Sequence, residues 1–297
     1  MDNLVFNAPE VSICCITYNH EKFIQKTLEN FLNQETSFNY EILIGEDHST
    51  DSTRDIIEKF MSLYSGRIIL LPKNDVNLGM KRNSARALSA CKGAYIAICD
   101  GDDYWTDKHK LQKQWEFLKS HPEFVISYAN VQAHHGEGID YTYSGGVKFN
   151  LTQEQLIRTE GINTLTAMFR NVLGDLPPEH QQCGTPDLFL WSLLGQHGRG
   201  YYDASILPSV YRIHGNGVHS QKSNVDRLID RLMTFYSLFM YYRRIGDKSS
   251  ESVLLERAKF DISQIKSHSK QALEKLNRVP VLMNLNPDDY QDFMRLI

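Results

Sequence analysis

The chain has no CxxC pair, and its five cysteines are an odd number among 297 residues. Both features argue against a disulfide framework and against a Cys-rich zinc site, and a reducing cytosol is the simplest expected compartment. No apolar run approaches the roughly 20 residues needed to span a bilayer. The opening MDNLVFNAPEVSICCITYN carries no basic stretch ahead of its apolar residues, so neither a secretory signal nor a membrane span is expected. Peripheral membrane contact stays open. Positive charge is also scarce: Lys and Arg number 32 against 36 Asp and Glu, a formal net charge of −4. That leaves no basic field for a polyanion and argues against nucleic acid as a partner. An anionic ligand must instead be held locally, by a metal or by a few placed donors.

Two phosphate-binding spellings are missing as well. The first strand-like run, Val11 to Thr17, ends in Thr17-Tyr18-Asn19-His20, which fits neither GxGxxG nor GxxxxGK[ST]. A DxDx[TV] phosphatase nucleophile is excluded too, because Asp100-Gly101-Asp102 continues as Asp103-Tyr104 and follows the fourth strand.

What is present is an alternation. VSICCIT (11–17) precedes a helical pattern over 20–33, YEILIGE (40–46) precedes one over 52–64, RIILL (67–71) one over 81–91, and AYIAIC (94–99) one over 108–118. Near-continuously apolar strands between amphipathic helices predict an α/β fold, a Rossmann-like, mostly parallel sheet covered on both faces. After Phe124 the pattern weakens. Strands are expected over 124–131 and 139–149, a short helix from Thr152, an apolar run over 165–169, a loop around Pro177-Pro178, a helix over 187–196, and strands near Ile206 and over 210–214. From Asp226 the chain turns helical and charged, so a domain over 1–220 and a C-terminal helical region over 221–297 are expected. Its aromatic stripe, Phe235 to Tyr242, suits intramolecular packing or a homodimer interface better than a membrane.

The acidic cluster ICDGDDYW stands just past the fourth strand, where ligands of open parallel sheets bind. A helix cap needs one Asp; three carboxylates around a glycine form a hard oxygen site suited to Mg²⁺ or Mn²⁺ with phosphate oxygens. Thr17, Tyr18 and Asn19 offer a hydroxyl, a ring and an amide for a base and ribose, and Glu46-Asp47-His48-Ser49-Thr50-Asp51 after the second strand offers a carboxylate able to accept a pyrimidine N–H. Together they describe a nucleotide pocket beside a metal.

TYN, then EDHSTDST, then NLG, then KGAYIAICDGDDYW resembles the family-2 nucleotide-sugar glycosyltransferases of the GT-A fold, over about residues 10 to 215. TLTAMFRN (164–171) and VYRIHGNGVHS (210–220) are similar to later elements of a bacterial branch that carries GDDYW. The resemblance implies an inverting, metal-dependent transfer from a nucleoside-diphosphate sugar, a UDP-sugar by expectation, to a glycan or lipid-linked acceptor in surface polysaccharide synthesis. By resemblance, Asp47 binds the base beside Thr17 and Tyr18, Asp100 lies near the ribose, Asp102 holds the ion, and His214 reaches the metal or diphosphate. Glycines 215 and 217 would hinge that loop. The family's base is an Asp or Glu opening the helix after the acceptor loop. Here Asp187 is that residue, although the branch's GDWPLxL spelling would set the acid at Thr185. Where relatives write Ala-Arg-Asn, this chain has Ser84-Ala85, and Arg86 becomes the arginine expected to face the donor. TLTAMFRN and YRIHGNG are expected at a closing acceptor site. Two rival readings are a nucleotide-sugar hydrolase and a non-catalytic binding subunit.

Overall fold

Val11–Thr17 forms strand β1 because its β-branched and cysteine side chains are buried on both faces, as a central parallel strand requires. The computed structural model describes residues 8–64, 66–136, 138–140, 143, 145–215, 217, 222–268, 274–276, 279 and 287–296. Two compact units interleave along the chain: Met1–Leu151 with Ile162–Asp175 and Gly198–Ile213, and Thr152–Gly161 with Leu176–His197 and His214–Ile297. The boundary expected near residue 220 lies outside the described residues.

In the first unit, helix α1 (Ile24–Leu32) buries Ile24, Thr27, Leu28 and Phe31, a single stripe at three- and four-residue spacing. β2 (Tyr40–Glu46) is buried along its whole length. α2 (Thr53–Leu63), β3 (Ile68–Leu70), α3 (Met80–Ala90), β4 (Tyr95–Ile98) and α4 (Lys110–Ser120) complete the four expected alternations. Further strands are β5 (Phe124–Ala129), β6 (Val131–His135), β7 (Gly138–Asp140), β8 (Met168–Arg170), β9 (Arg199–Asp203) and β10 (Ser209–Arg212). The main sheet has the order β3-β2-β1-β4-β8-β5-β9, and a small sheet has the order β10-β6-β7. β8 alone runs antiparallel in the main sheet, paired with β4 and β5.

Three expectations shift. The strand foreseen over 139–149 ends at Asp140 among the described residues. The apolar residues near Ile206 lie in a turn, with the strands on either side of it. β9 went unforeseen because RGYYD is not an apolar run; it forms by pairing with β5, Tyr201 opposite Ser127 and Tyr202 opposite Tyr128. A buried partner edge here overrides weak local propensity.

Register sets where a site can form. Thr17 lies opposite Glu46, and Cys14 lies opposite Ile98. From β1 the chain moves outward to β2 and β3, then returns to β4 on the other side of β1. The carboxyl ends of β1 and β4 therefore flank a topological switch point, the crevice where such sheets bind ligands.

The second unit is helical: α5 (Gln153–Ile157), α6 (Pro186–Gly195), α7 (Asn224–Ile245), α8 (Lys248–His268) and α9 (Pro287–Leu296). Thr152 caps α5 in a capping box with Gln155. Phe235, Tyr236, Phe239 and Tyr242 on α7 are buried. The Tyr236 and Phe239 rings lie 5.7 and 5.3 Å from those of Tyr290 and Phe293 on α9. The aromatic stripe is thus used inside the unit. No helix among the described residues is long and apolar enough to cross a membrane.

Candidate active site at the carboxyl ends of β1, β2 and β4

Thr17 closes β1 and is 2% exposed, and its carbonyl accepts the Asp47 backbone N–H at 3.0 Å. The Asp47 carboxylate, also buried, accepts the backbone N–H groups of Leu78 and Gly79 at 2.9 and 2.8 Å and the Asn74 amide at 3.3 Å. Leu78 and Gly79 lead into α3, so the carboxylate sits where the helix dipole favours negative charge. Gly79 has φ of +80°, a conformation that favours glycine. Two of those bonds end on Oδ1 and one on Oδ2. A carboxylate has about four acceptor sites, so Oδ2 keeps capacity for a further donor.

Arg86 supports this loop from behind. Its guanidinium donates to the carbonyls of Pro72 and Glu46 at 3.0 and 3.2 Å and to the side-chain oxygens of Asn74 and Asn83 at 2.5 and 2.8 Å. Both terminal nitrogens are engaged by the protein, which makes Arg86 a brace for the Asp47 loop. Asn19 is likewise a linker: with φ of 55° it donates its backbone N–H to Ser49 Oγ, and its side-chain oxygen accepts from the Thr50 N–H at 2.8 Å. Asn tolerates the left-handed region better than most residues. Tyr18, 42% exposed, is the ring left projecting from the strand end. Glu46 is fully buried; burial pushes its carboxyl up, but the Ser49 amide and hydroxyl and the Arg54 guanidinium outweigh that and hold it below the usual range.

The acidic turn follows β4. Gly101 donates its N–H to the Ile16 carbonyl at 2.9 Å, and Asp103 donates to the Asp100 carbonyl at 3.1 Å, closing a tight turn against β1. A Cβ at Gly101 would lie 2.6 Å from Thr17 Oγ1 and 2.7 Å from Thr17 Cβ, so only glycine fits this approach. Thr27 of α1 donates to the carbonyls of Gly101 and Asp103.

The three carboxylates differ. Asp103 is buried, and its Oδ1 accepts the Arg212 backbone N–H at 2.8 Å. Burial, joined by the neighbouring Asp102 charge, pushes its carboxyl well above the usual range, against the Arg212 hydrogen bond. Asp100 and Asp102 are only partly buried. Arg212 donates through Nη1 to the Asp102 carbonyl at 2.5 Å, and its guanidinium lies 4.4 Å from the Tyr104 ring and 5.3 Å from the Phe23 ring. Asp102 Oδ2 is 3.5 Å from His20 Nε2, and His20 Nδ1 is 3.1 Å from Thr17 Oγ1. Arg212 belongs to YRIHGNG, an element expected at the site, whereas His20 was not foreseen there; its signal was its position directly after Thr17-Tyr18-Asn19.

Thr17, Tyr18, Asn19, Asp47, Asp100 and Asp102 therefore share one edge of the first unit. Asp187 and His214 belong to the second unit. Asp187 stands in the first turn of α6, half-buried, its Oδ1 accepting the Leu188 N–H at 2.9 Å. The His214 carbonyl accepts the Gly217 N–H at 3.1 Å. Among the described residues, no group of three or more His, Cys, Asp or Glu side chains is gathered to hold a metal ion. The hard oxygens of Asp100 and Asp102 nonetheless suit Mg²⁺ or Mn²⁺ of the kind that keeps waters and takes phosphate oxygens from its substrate.

TLTAMFRN behaves otherwise than expected at its second half. Arg170 pairs opposite Tyr95, at the amino end of β4 and away from the acidic turn. There it donates to the carbonyls of Phe124, Leu118 and His121, closing the C-terminus of α4. Asn171 donates to the Gly93 carbonyl at 3.0 Å. At the motif's other end, the Leu165 carbonyl accepts the Trp105 indole N–H at 2.7 Å.

The chain is 32% identical over 217 residues to an uncharacterized protein of Mycobacterium tuberculosis, a match covering 70% of this chain and 60% of the relative's length. It is 30% identical to the UDP-Glc:alpha-D-GlcNAc-diphosphoundecaprenol beta-1,3-glucosyltransferase WfaP of Escherichia coli, over 71% of this chain and 80% of that one. The fold matches Staphylococcus aureus TarS 1-349 in complex with UDP-GlcNAc at a TM-score of 0.66 and 17% identity, covering 97% and 81% of the two chains. It also matches the mannosyltransferase PcManGT of Pyrobaculum calidifontis in complex with GDP-Man and Mn²⁺, at a TM-score of 0.58 and 15% identity over 98% and 85%. The profile of glycosyl transferase family 2 matches residues 12–175, and the chain belongs to that family.

Proposed function

We propose that the chain transfers a sugar, with inversion, from a UDP-sugar to an acceptor hydroxyl in the synthesis of a bacterial surface polysaccharide or glycoconjugate. The observation that carries this reading is the meeting of Asp47, Thr17, Asp100 and Asp102 at the switch point between β1 and β4. The name of the Escherichia coli relative, with its UDP-Glc donor and diphosphoundecaprenol acceptor, supports this donor class and a lipid-linked acceptor. Work on such an acceptor fits a cytoplasmic protein in peripheral contact with the membrane.

In this reading Asp47 Oδ2 accepts the base N–H, Tyr18 covers the base, and Thr17 and Asp100 line the ribose side. Asp102 would hold the Mn²⁺ or Mg²⁺. That ion, when bound, supplies Lewis-acid stabilisation of the leaving diphosphate, on the order of several kcal/mol. Asp187 takes the acceptor proton as the hydroxyl oxygen bonds to the anomeric carbon and the carbon–oxygen bond to the diphosphate breaks.

A panel of nucleoside-diphosphate sugars, with Mn²⁺ and a polyprenyl-diphosphate sugar acceptor, tests the reading. The expected result is acceptor-dependent release of UDP from one donor, lost in EDTA. Donor consumption indifferent to acceptor would favour a hydrolase, and donor binding without turnover a binding subunit.

A further inference from the structure

We propose that His20 is the positioning residue for Asp102, tying the metal carboxylate to the strand end that receives the nucleoside. The proposal rests on the assignment of Asp102 above and adds a residue to it. His20 leaves β1 three residues after Thr17 and turns its ring back over the crevice. Its backbone is anchored without the ring: the N–H donates to Thr53 Oγ1 at 2.8 Å, and the carbonyl accepts from Phe23 and Ile24, each at 2.9 Å. These backbone bonds do not involve the ring.

Both ring nitrogens face functional neighbours, Nδ1 the Thr17 hydroxyl at 3.1 Å and Nε2 the Asp102 carboxylate at 3.5 Å. In the tautomer in which Thr17 donates to Nδ1, the ring N–H is on Nε2, the nitrogen 3.5 Å from Asp102 Oδ2. The side chains of His20 and Asp102 are 16% and 19% exposed, so the contact is sheltered from full solvent screening. From the other side, Arg212 holds the Asp102 main-chain carbonyl at 2.5 Å. Carboxylate and backbone of Asp102 are thus met from separate parts of the unit, the loop after β1 and strand β10. Such outer partners orient metal-binding carboxylates and set their affinity.

The test is a Mn²⁺ titration at saturating UDP, followed by the electron paramagnetic resonance signal of free Mn²⁺, on wild type, His20→Ala, His20→Gln and Asp102→Asn. His20→Ala is expected to weaken Mn²⁺ binding about 10-fold or more. His20→Gln restores an N–H donor at similar reach and is expected to recover most of that loss. UDP binding in EDTA and the melting temperature should be unchanged in both His20 variants, since the loop's backbone bonds persist. Wild-type Mn²⁺ affinity in His20→Ala would overturn the role of His20 and leave Asp102 standing. Equal Mn²⁺ affinity in wild type and Asp102→Asn would overturn the assignment of Asp102, and the role of His20 with it.

Discussion

Asp103 accepts the backbone N–H of Arg212 at 2.8 Å, so the most buried carboxylate of the acidic turn is a structural tie to β10. The exchange Asp103→Asn keeps an acceptor oxygen for that N–H and removes a carboxylate that burial disfavours in its charged form. Its melting temperature should stay close to wild type. Asp103→Ala strands the Arg212 N–H and should cost roughly 1–3 kcal/mol in denaturant unfolding. Equal losses in the two variants would contradict the tie.

Asp102 is expected to behave in the opposite way. Its carboxylate is partly exposed at the crevice, so Asp102→Asn should leave the melting temperature near wild type while abolishing sugar transfer. Full transfer by this variant, or by wild type after dialysis against EDTA, would contradict the metal reading.

Gly101 and Gly93 make a matched pair. A Cβ at Gly101 would meet Thr17 Cβ at 2.7 Å, and one at Gly93 would meet the Val11 carbonyl carbon at 2.7 Å. Both Ala substitutions should cost about 1–3 kcal/mol from overpacking. Gly101 lies at the carboxyl end of β4 and Gly93 ahead of its amino end, so Gly101→Ala alone should also weaken UDP binding. Calorimetry with UDP on both variants separates the two effects.

Arg170 gives the converse. Its guanidinium reaches the carbonyls of Phe124 at 2.9 Å and His121 at 3.2 Å at the amino end of β4. Arg170→Met should lose roughly 1.5–3 kcal/mol of stability, the range for hydrogen bonds to a charged group, with UDP affinity unchanged. A selective loss of UDP binding would return the motif to the site.

The sequence made the first four strand–helix alternations legible because each strand is apolar on both faces and each helix carries one stripe. It also marked the site's edge, since TYN, the Asp47 loop and the acidic turn each follow such a strand. Two things were hidden. Non-local pairing creates β9 from a polar RGYYD, which no window of local pattern reveals. Side-chain direction was hidden too: Arg86 and Asn19 have the residue types of ligand binders, yet the terminal nitrogens of Arg86 are turned to Glu46, Asn74 and Asn83 and the side-chain oxygen of Asn19 to Thr50. Conversely, His20 reads as a bystander until the fold brings it to Asp102.

Lys110 of α4 yields a prediction on pH. Its side chain is fully buried, Nζ donating to Gln114 Oε1 at 2.6 Å and lying 4.5 Å from the Trp105 ring centroid. Burial pulls its ammonium down to about 7, against the opposing pull of Cys99 and Asp107. An unfolded lysine titrates near ~10.4. Between these values the unfolded chain binds a proton that the folded chain does not, so stability rises with pH across that window. Below it both states are protonated and the contribution is constant. In Lys110→Met this slope is absent, although Gln114 loses a donor and the overall level shifts. Urea unfolding at pH 6 to 10 should therefore show wild type gaining on the variant by up to ~1.4 kcal/mol per pH unit above pH 7. Parallel curves would mean that Lys110 keeps its proton in the folded protein, held by Trp105 and Gln114.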